Sequence, residues 1–392
     1  MNTATKKIQG ISALLLTLFA SQTICWKSQG HYIISRIAYD ILQKDAPQAL
    51  QSATSMLNVL RIANPNLTDA EQNYTFVESS SFADLIKYSG GAFQSDWHFV
   101  NIPFVDQPNK TLSNYPLFRV RKENVTEAII GLVNWLQNKE GYQNHFVYPD
   151  VMKKVTNEQE GKSYALRLLI HFMGDIHQPL HSIARINDQN PSGDSGGNAF
   201  DIPYTKEADN LHSVWDSAIY QFYRNDKVPY TDKLWNTLGN TTNTLRTKWN
   251  ITCSDYENND VNQWAKDSYE LAKLAYQGAT ENLTLSADYI SRNNPITQRQ
   301  MVLAGLRLAH LIKITFETST QILAQTLQSS DNIRIQLKAQ NSISDQYGYD
   351  NSKFDMESGE LTGLSAWDFN CNSKVSNNYF PQIEQKSSGF LK

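Results

Sequence analysis

No Cys-x-x-Cys pair occurs in this chain. Its three cysteines, Cys25, Cys253 and Cys371, are too few and too scattered to build a thiolate zinc site. Long apolar runs are equally scarce. Ile11 to Phe19 is a short apolar core preceded by Lys6 and Lys7, too short to span a bilayer comfortably. It reads as a secretory signal over residues 1–25, with Thr23 and Cys25 at the small-residue positions before a cut. An uncleaved anchor is the alternative. With no second run of this kind, a soluble mature chain without stable membrane association is expected. Positive charge is also lacking. The formal charge is −4, and removing Lys6 and Lys7 with no acid takes it to −6. That sign excludes holding a polyanion by a broad basic surface. An anionic ligand would need a local positive charge, and bound metal is one source.

Strict apolar–polar alternation is rare, and no internal repeat of fixed period occurs, which argues against sheet-based and solenoid architectures. Helical spacing is common instead. It predicts helices over His31–Leu42, Asn124–Leu136, Ser163–Gln178, Asn262–Tyr276 and Thr297–Leu327. The expected architecture is mainly α, a single helical domain over 26–330 with long loops. After Ser330, Gln, Asn, Ser, Asp and Gly dominate, so 331–392 is expected to be a polar extension. In an oxidising compartment Cys253 and Cys371 are expected to pair and tie this tail to the body; two unpaired thiols are the alternative. Seven Asn-x-Ser/Thr sequons, at Asn66, Asn73, Asn109, Asn124, Asn240, Asn250 and Asn282, are compatible with secretion.

The densest chemistry lies in Leu168 to His181, where His171, Asp175, His177 and His181 share a short apolar run. Burying so many polar groups costs free energy unless something satisfies them. His171 and Asp175 are four apart and share a helix face. Pro179 should end or bend the helix and let His181 turn back. His177 lies roughly 240° round an ideal helix from His171 and should point away, to a structural or surface role. The His-x-x-x-Asp spacing recurs at His212 and Asp216. Asp84 and His98 also sit among apolar residues, and an ordinary hydrogen-bonded histidine in a half-buried strand is the bland reading of His98. If the signal is cut after Cys25, Trp26 carries a free α-amino group that can chelate a metal with its own carbonyl. His31 would approach the same ion after a turn through Gly30.

In this order the pieces resemble the zinc-dependent S1/P1 nuclease family. They are Trp26-x4-His31, Phe82-Ala83-Asp84, Trp97-His98-Phe99-Val100-Asn101, the run through His181, Gly196-Gly197-Asn198, Asn210-Leu211-His212-x2-Trp215-Asp216 and Leu303 to Ala309. The resemblance spans residues 26 to about 320. It implies a helical phospholipase C/P1 nuclease-like domain with a trinuclear zinc cleft. Asp84, His98 and His171 would hold one ion, and His181, His212 and Asp216 a second. The main-chain groups of Trp26, with His31, would hold the third, and Asp175 would bridge the first and third. With the signal segment, a secreted or lumenal protein is expected, and a monomer. Its substrates would be single-stranded DNA, RNA and 3′-nucleotides, and its products would carry 5′-phosphates.

Asp175, Lys87 and Asn101 are the expected catalytic residues, and Gly196, Gly197 and Asn198 the expected base contacts, a simple turn being the alternative for the glycines. Lys87 stands where the family often has Arg, keeping the charge without the bidentate fork. Asn101 stands where members carry Asp; its carbonyl can accept a hydrogen bond but cannot take a proton in the same way. A zinc phospholipase C type would share the metal chemistry with a different head group, and a non-catalytic zinc- or glycan-binding protein would share the ligands alone. Gly193-Asp194-Ser195-Gly196-Gly197 looks like a trypsin-like nucleophile segment, but the helical pattern does not suit that fold.

Overall fold

The computed structural model describes the backbone of residues 26–224, 226–249 and 251–341, with side chains through 316. The described residues are mainly helical. The helices are α1 (Ser28–Asp45), α2 (Pro47–Ala63), α3 (Thr75–Glu78), α4 (Phe82–Ile86), α5 (Val125–Leu136), α6 (Val147–Met152) and α7 (Glu158–Asp175), followed by α8 (Leu211–Asp216), α9 (Asp232–Lys248), α10 (Cys253–Tyr256), α11 (Val261–Tyr276) and α12 (Ala287–Asn341). Two short pairs of strands interrupt them: β1 (Ile102–Val105) beside β2 (Ile183–Ile186), and β3 (Asp201–Thr205) beside β4 (Ala208–Asn210). None of the described helices is long and apolar enough to cross a membrane.

The core is built around α7. Every residue from Gly161 to Asp175 is buried, and α1, α2, α4, α5 and α6 pack on it. A helix buried all round must satisfy its polar side chains within the protein. Arg167 does so with a two-pronged pair to Glu71, at 2.8 and 2.7 Å, and with donations to Ser163 and the Leu57 carbonyl. His171 and Asp175, one and two turns further along, turn instead toward the site described below.

Local chemistry sets most boundaries. Asn124 and Asn157 cap α5 and α7 by accepting main-chain N–H groups. The predicted helix at Asn124 therefore starts one residue later, and the predicted Ser163 start moves back to Glu158. The predicted helix end at Gln178 moves to Asp175, because Pro179 opens a separate 3-10 turn, Pro179–Ser182, and Gln178 is already extended. The last helix starts at Ala287, not Thr297, and runs through Pro295. Gly30 makes no turn before His31: it lies inside α1, where a Cβ would come within 2.9 Å of the Trp26 Cβ. His98 ends a 3-10 helix, Ala92–His98, and is fully buried, so the half-buried strand does not hold.

β1 and β2 pair in parallel, Ile102 opposite Ile183 and Val105 opposite Ile186. Just before both strands, Val100 N–H donates to the His181 carbonyl at 2.9 Å. That pairing draws His98 and His181 together from distant parts of the chain. A division falls at Ser330: Met1–Ser330 is one unit and Asp331–Lys392 another. Cys253 is disulfide-bonded, and Cys371 lies outside the described residues. Among the sequon asparagines, Asn66, Asn73, Asn109, Asn240 and Asn282 are exposed, Asn124 is half-buried as the cap of α5, and Asn250 lies outside the described residues.

Candidate metal centre

Three metal-capable groups form among the described residues: Asp84 with His98 and His171, His31 with His171 and Asp175, and His181 with His212 and Asp216. Each carries donor atoms close enough to share an ion. His171 belongs to two of them, so the first two groups are contiguous. His181 joins the third to the rest, its Nδ1 lying 3.8 Å from Asp175 Oδ1.

Asp175 is central. Its Oδ2 lies 2.8 Å from His98 Nδ1 and 3.3 Å from His171 Nε2, and its Oδ1 lies 3.4 Å from His31 Nε2. The His31 and His171 rings stack at 3.9 Å. Gly174 makes room for this: a Cβ there would meet His31 Nδ1 at 2.7 Å. Glycine inside a helix costs about 0.5–1 kcal/mol relative to alanine, so its presence between His171 and Asp175 marks a close approach.

Main-chain carbonyls orient the other rings. Nδ1–H of His171 donates to Ser80 O at 2.6 Å, that of His181 to His98 O at 2.8 Å and that of His212 to Gly196 O at 2.8 Å. In each ring this fixes the neutral tautomer and turns the Nε2 lone pair inward, the outer bonding that metal-ligating histidines make. Nε2 of these three, and both ring nitrogens of His31, have no hydrogen-bond partner among the described residues although all four side chains are buried. Such groups are costly unless an ion takes the lone pairs.

The protonation states agree. Burial lowers the pKa of His31, His98, His171 and His212, and takes His181 to about 3. The Lys87 ammonium adds to the depression at His98, His171, His181 and His212. The imidazoles are thus neutral at physiological pH, as ligation requires. Burial raises Asp216 to about 6, against the opposing pull of His212 and a hydrogen bond from Gln178. Nitrogen and carboxylate donors without thiolate suit zinc.

The N-terminal end of the described chain is pinned beside these groups. The buried Trp26 donates Nε1–H to Gly174 O at 2.8 Å, Lys27 N–H donates to Asp216 O at 2.9 Å, and Lys27 Nζ donates to Glu207 O at 3.0 Å. Lys87 follows α4 and is half-buried, its charge felt across the groups. Asn101 precedes β1 with a φ of 49°, a left-handed conformation that Asn and Asp adopt more readily than most residues. Phe99 is half-buried, its ring 4.6 Å from that of His181.

Other expectations change in detail. Gly196 and Gly197 are buried, and Gly196, at φ 64°, lies so close to Leu180 O that a Cβ would sit 2.1 Å away. Its visible task is to hold His212. Asn198 is half-buried, its amide donating to Ser195 O at 2.7 Å. Asp194 anchors this loop, accepting from Arg185 N at 2.9 Å and Tyr276 O–H at 2.8 Å, and is no part of a serine-protease triad. Asn210 caps α8 and so aims His212 and Asp216 inward. His177 is buried, not at the surface: Nδ1–H donates to Met173 O and Nε2 accepts from Arg307. The carbonyls of Ser80, His98 and Gly196 were missed because a carbonyl carries no sequence signature. Gln178, which bonds Asp216, was missed beside its more conspicuous neighbours.

A model of the family described as S1/P1 Nuclease matches residues 26–317. Endonuclease 5 of Arabidopsis thaliana is 26% identical over 326 residues, covering 80% of this chain and 97% of its own. Nuclease S1 of Aspergillus oryzae is 24% identical over 314 residues, covering 76% and 94%. Nuclease P1 of Penicillium citrinum is 40% identical over a shorter match of 62 residues, 16% of this chain and 20% of its own. With its helical fold, its buried histidine–aspartate groups and a family match over most of its length, the chain belongs to the S1/P1 nuclease family, which is zinc-dependent, and is an enzyme of the phosphodiesterase class.

Proposed function

We propose that this protein is a secreted or lumenal monomeric endonuclease that hydrolyses single-stranded DNA and RNA to 5′-phosphorylated products and removes the phosphate from 3′-nucleotides. The observation that carries the reading is the contiguity of the three donor groups, joined through His171, Asp175 and His181. Three zinc ions are proposed: one on Asp84, His98, His171 and Asp175, one on His181, His212 and Asp216, and one on Trp26, His31 and Asp175. Bound zinc supplies Lewis acidity toward phosphoryl oxygens and lowers the pKa of water at the site.

The chain's own residues do the rest. Lys87 adds positive potential where an anionic phosphate would lie, in a protein that is negative overall. Asn101 can orient a water through its side-chain carbonyl but cannot take up its proton. Phe99 offers a ring for a splayed base, an arrangement that suits single strands. Gly196, Gly197 and Asn198 border the His212 side of the site and are proposed to contact the base through main-chain groups and the Asn198 amide. The mature chain is proposed to begin at Trp26, which the start of the family match supports. Residues 26–330 would form the catalytic body and 331–392 a polar extension.

The test combines N-terminal sequencing and zinc counting on the secreted protein with assays on 3′-AMP, single-stranded DNA, RNA and phosphatidylcholine. A Trp26 N-terminus, 5′-phosphorylated fragments and free phosphate from 3′-AMP are expected. Release of phosphocholine with the nucleic substrates untouched would replace the nuclease by a phospholipase, and zinc binding without hydrolysis of any ester would leave a binding protein.

A further inference from the structure

Gln178 is fully buried between the end of α7 and the turn that carries His181. Its amide makes two hydrogen bonds of opposite sense. Nε2 donates to Asp216 Oδ1 at 2.7 Å, and Oε1 accepts from Leu180 N–H at 2.6 Å. The first ends on a carboxylate of the His181, His212 and Asp216 group; the second closes the start of the turn Pro179–Ser182. One side chain therefore ties Asp216 to the turn that carries His181, which comes from a separate segment.

We infer that Gln178 is the positioning residue of this one metal group, setting the orientation of the Asp216 carboxylate relative to His181 and His212. The inference rests on the reading that these three residues hold a zinc ion. Asp216 Oδ1 lies 3.7 Å from His181 Nε2, and Oδ2 lies 3.6 Å from His212 Nε2. The last torsion of an aspartate is soft, so nothing within Asp216 chooses this orientation. A donor fixed on Oδ1 does choose it, and a bond to an ionised acceptor is roughly twice as strong as one between neutral partners. Asp216 is 2% exposed, so little water competes for that oxygen. A neutral amide also leaves the negative charge of the carboxylate for a cation, which a lysine in the same place would cancel. The effect is confined to one group, because the Gln178 side-chain bonds end on Asp216 and Leu180 and on neither Asp84 nor His31.

The experiment follows zinc retention, by elemental analysis, as EDTA is raised against the folded full-length mature protein and its Gln178→Met variant. Methionine keeps the volume and removes both hydrogen bonds. Outer bonds of this kind typically change metal affinity by about 10- to 100-fold. One class of zinc should leave the variant at correspondingly lower EDTA, the remainder should follow the wild-type curve, and the far-UV circular dichroism should not change. A curve that superimposes on wild type overturns the inference. So does equal weakening of every class, which a general loosening of the fold would produce. Gln178→Asn keeps the amide but draws it back by one methylene; it should weaken the same class and serves if the methionine variant does not fold. Asp216→Asn, run in parallel, separates the two levels: if it leaves the zinc curve unchanged, the group holds no zinc, and the metal reading falls together with the inference built on it.

Discussion

Asp175 presents Oδ1 to His31, 3.4 Å from its Nε2, and keeps Oδ2 for His98 and His171. One carboxylate thus faces two of the three donor groups from the buried end of α7. Asp175→Asn keeps the shape and removes the charge. It is expected to lower activity by about 100-fold or more, since even outer-bond changes at metal sites reach that range. It should also remove zinc from two classes of site, whereas a residue serving one ion would remove one. Zinc counting beside kcat on single-stranded DNA checks both outcomes.

Gly174→Ala tests the close approach of α1 to α7. The new Cβ would stand 2.7 Å from His31 Nδ1, in a place with no room to yield. Overpacking of this kind costs about 1–3 kcal/mol, partly offset by the better helix propensity of alanine. The expected result is a lower Tm and weaker binding at the ion assigned to His31, while His181, His212 and Asp216 keep theirs. Differential scanning calorimetry and metal titration measure the two effects separately.

Acid should destabilise the metal-stripped protein. His31, His98, His171, His177, His181 and His212 all have folded pKa values below the unfolded 6.5, chiefly through burial, His181 reaching about 3. Below 6.5 the unfolded chain binds protons at these positions and the folded chain does not. Stability therefore rises with pH across that window and falls as the solution is acidified through 6.5. Asp216 acts in the opposite sense: its folded value of about 6 exceeds the unfolded 3.8, so its contribution is present below 3.8 and is lost as pH rises through about 6. Burial also raises Asp40, Asp45, Glu71, Asp194 and Asp226, but those carboxyls start from ordinary values of 3.8 to 4.5, whereas the six histidines are displaced downward from 6.5, so between about pH 7 and about pH 5 the histidines dominate and acid destabilises. The urea midpoint of stripped protein should drop between about pH 7 and about pH 5, and a midpoint that rises would contradict the assigned shifts.

Asn101→Asp should leave the fold intact, because aspartate also tolerates the left-handed conformation at φ 49°. It would install a group able to accept a proton. General bases contribute on the order of 100-fold or more, so kcat should rise toward that limit and gain a dependence on the new carboxylate at low pH. An unchanged pH–rate profile would show that position 101 does not handle the attacking water.

The donor set was readable because metal chemistry demands particular side chains at particular intervals. His171 with Asp175, and His212 with Asp216, are pairs one helical turn apart, and local periodicity reveals them without knowledge of the fold. The capping residues Asn124 and Asn210 are equally local signals. Helix ends were less legible. Gln178 looked like the last residue of a helix because apolar periodicity continues past Asp175, and only the proline chemistry of the next segment moved the boundary.

The mainly helical class, the shortage of thiols, the overall negative charge and the identity of the side chains able to bind a metal are all legible in the chain of residues. These follow from composition and from spacing within a few residues. Tertiary structure alone decided that His98 meets His181 through the pairing of β1 with β2, that Gly174 admits His31, that Gly196 O aims His212 and that Gln178 reaches Asp216. Those relationships depend on main-chain carbonyls and on contacts between segments far apart. A carbonyl is the same atom in every residue, so only the path of the chain gives it a partner.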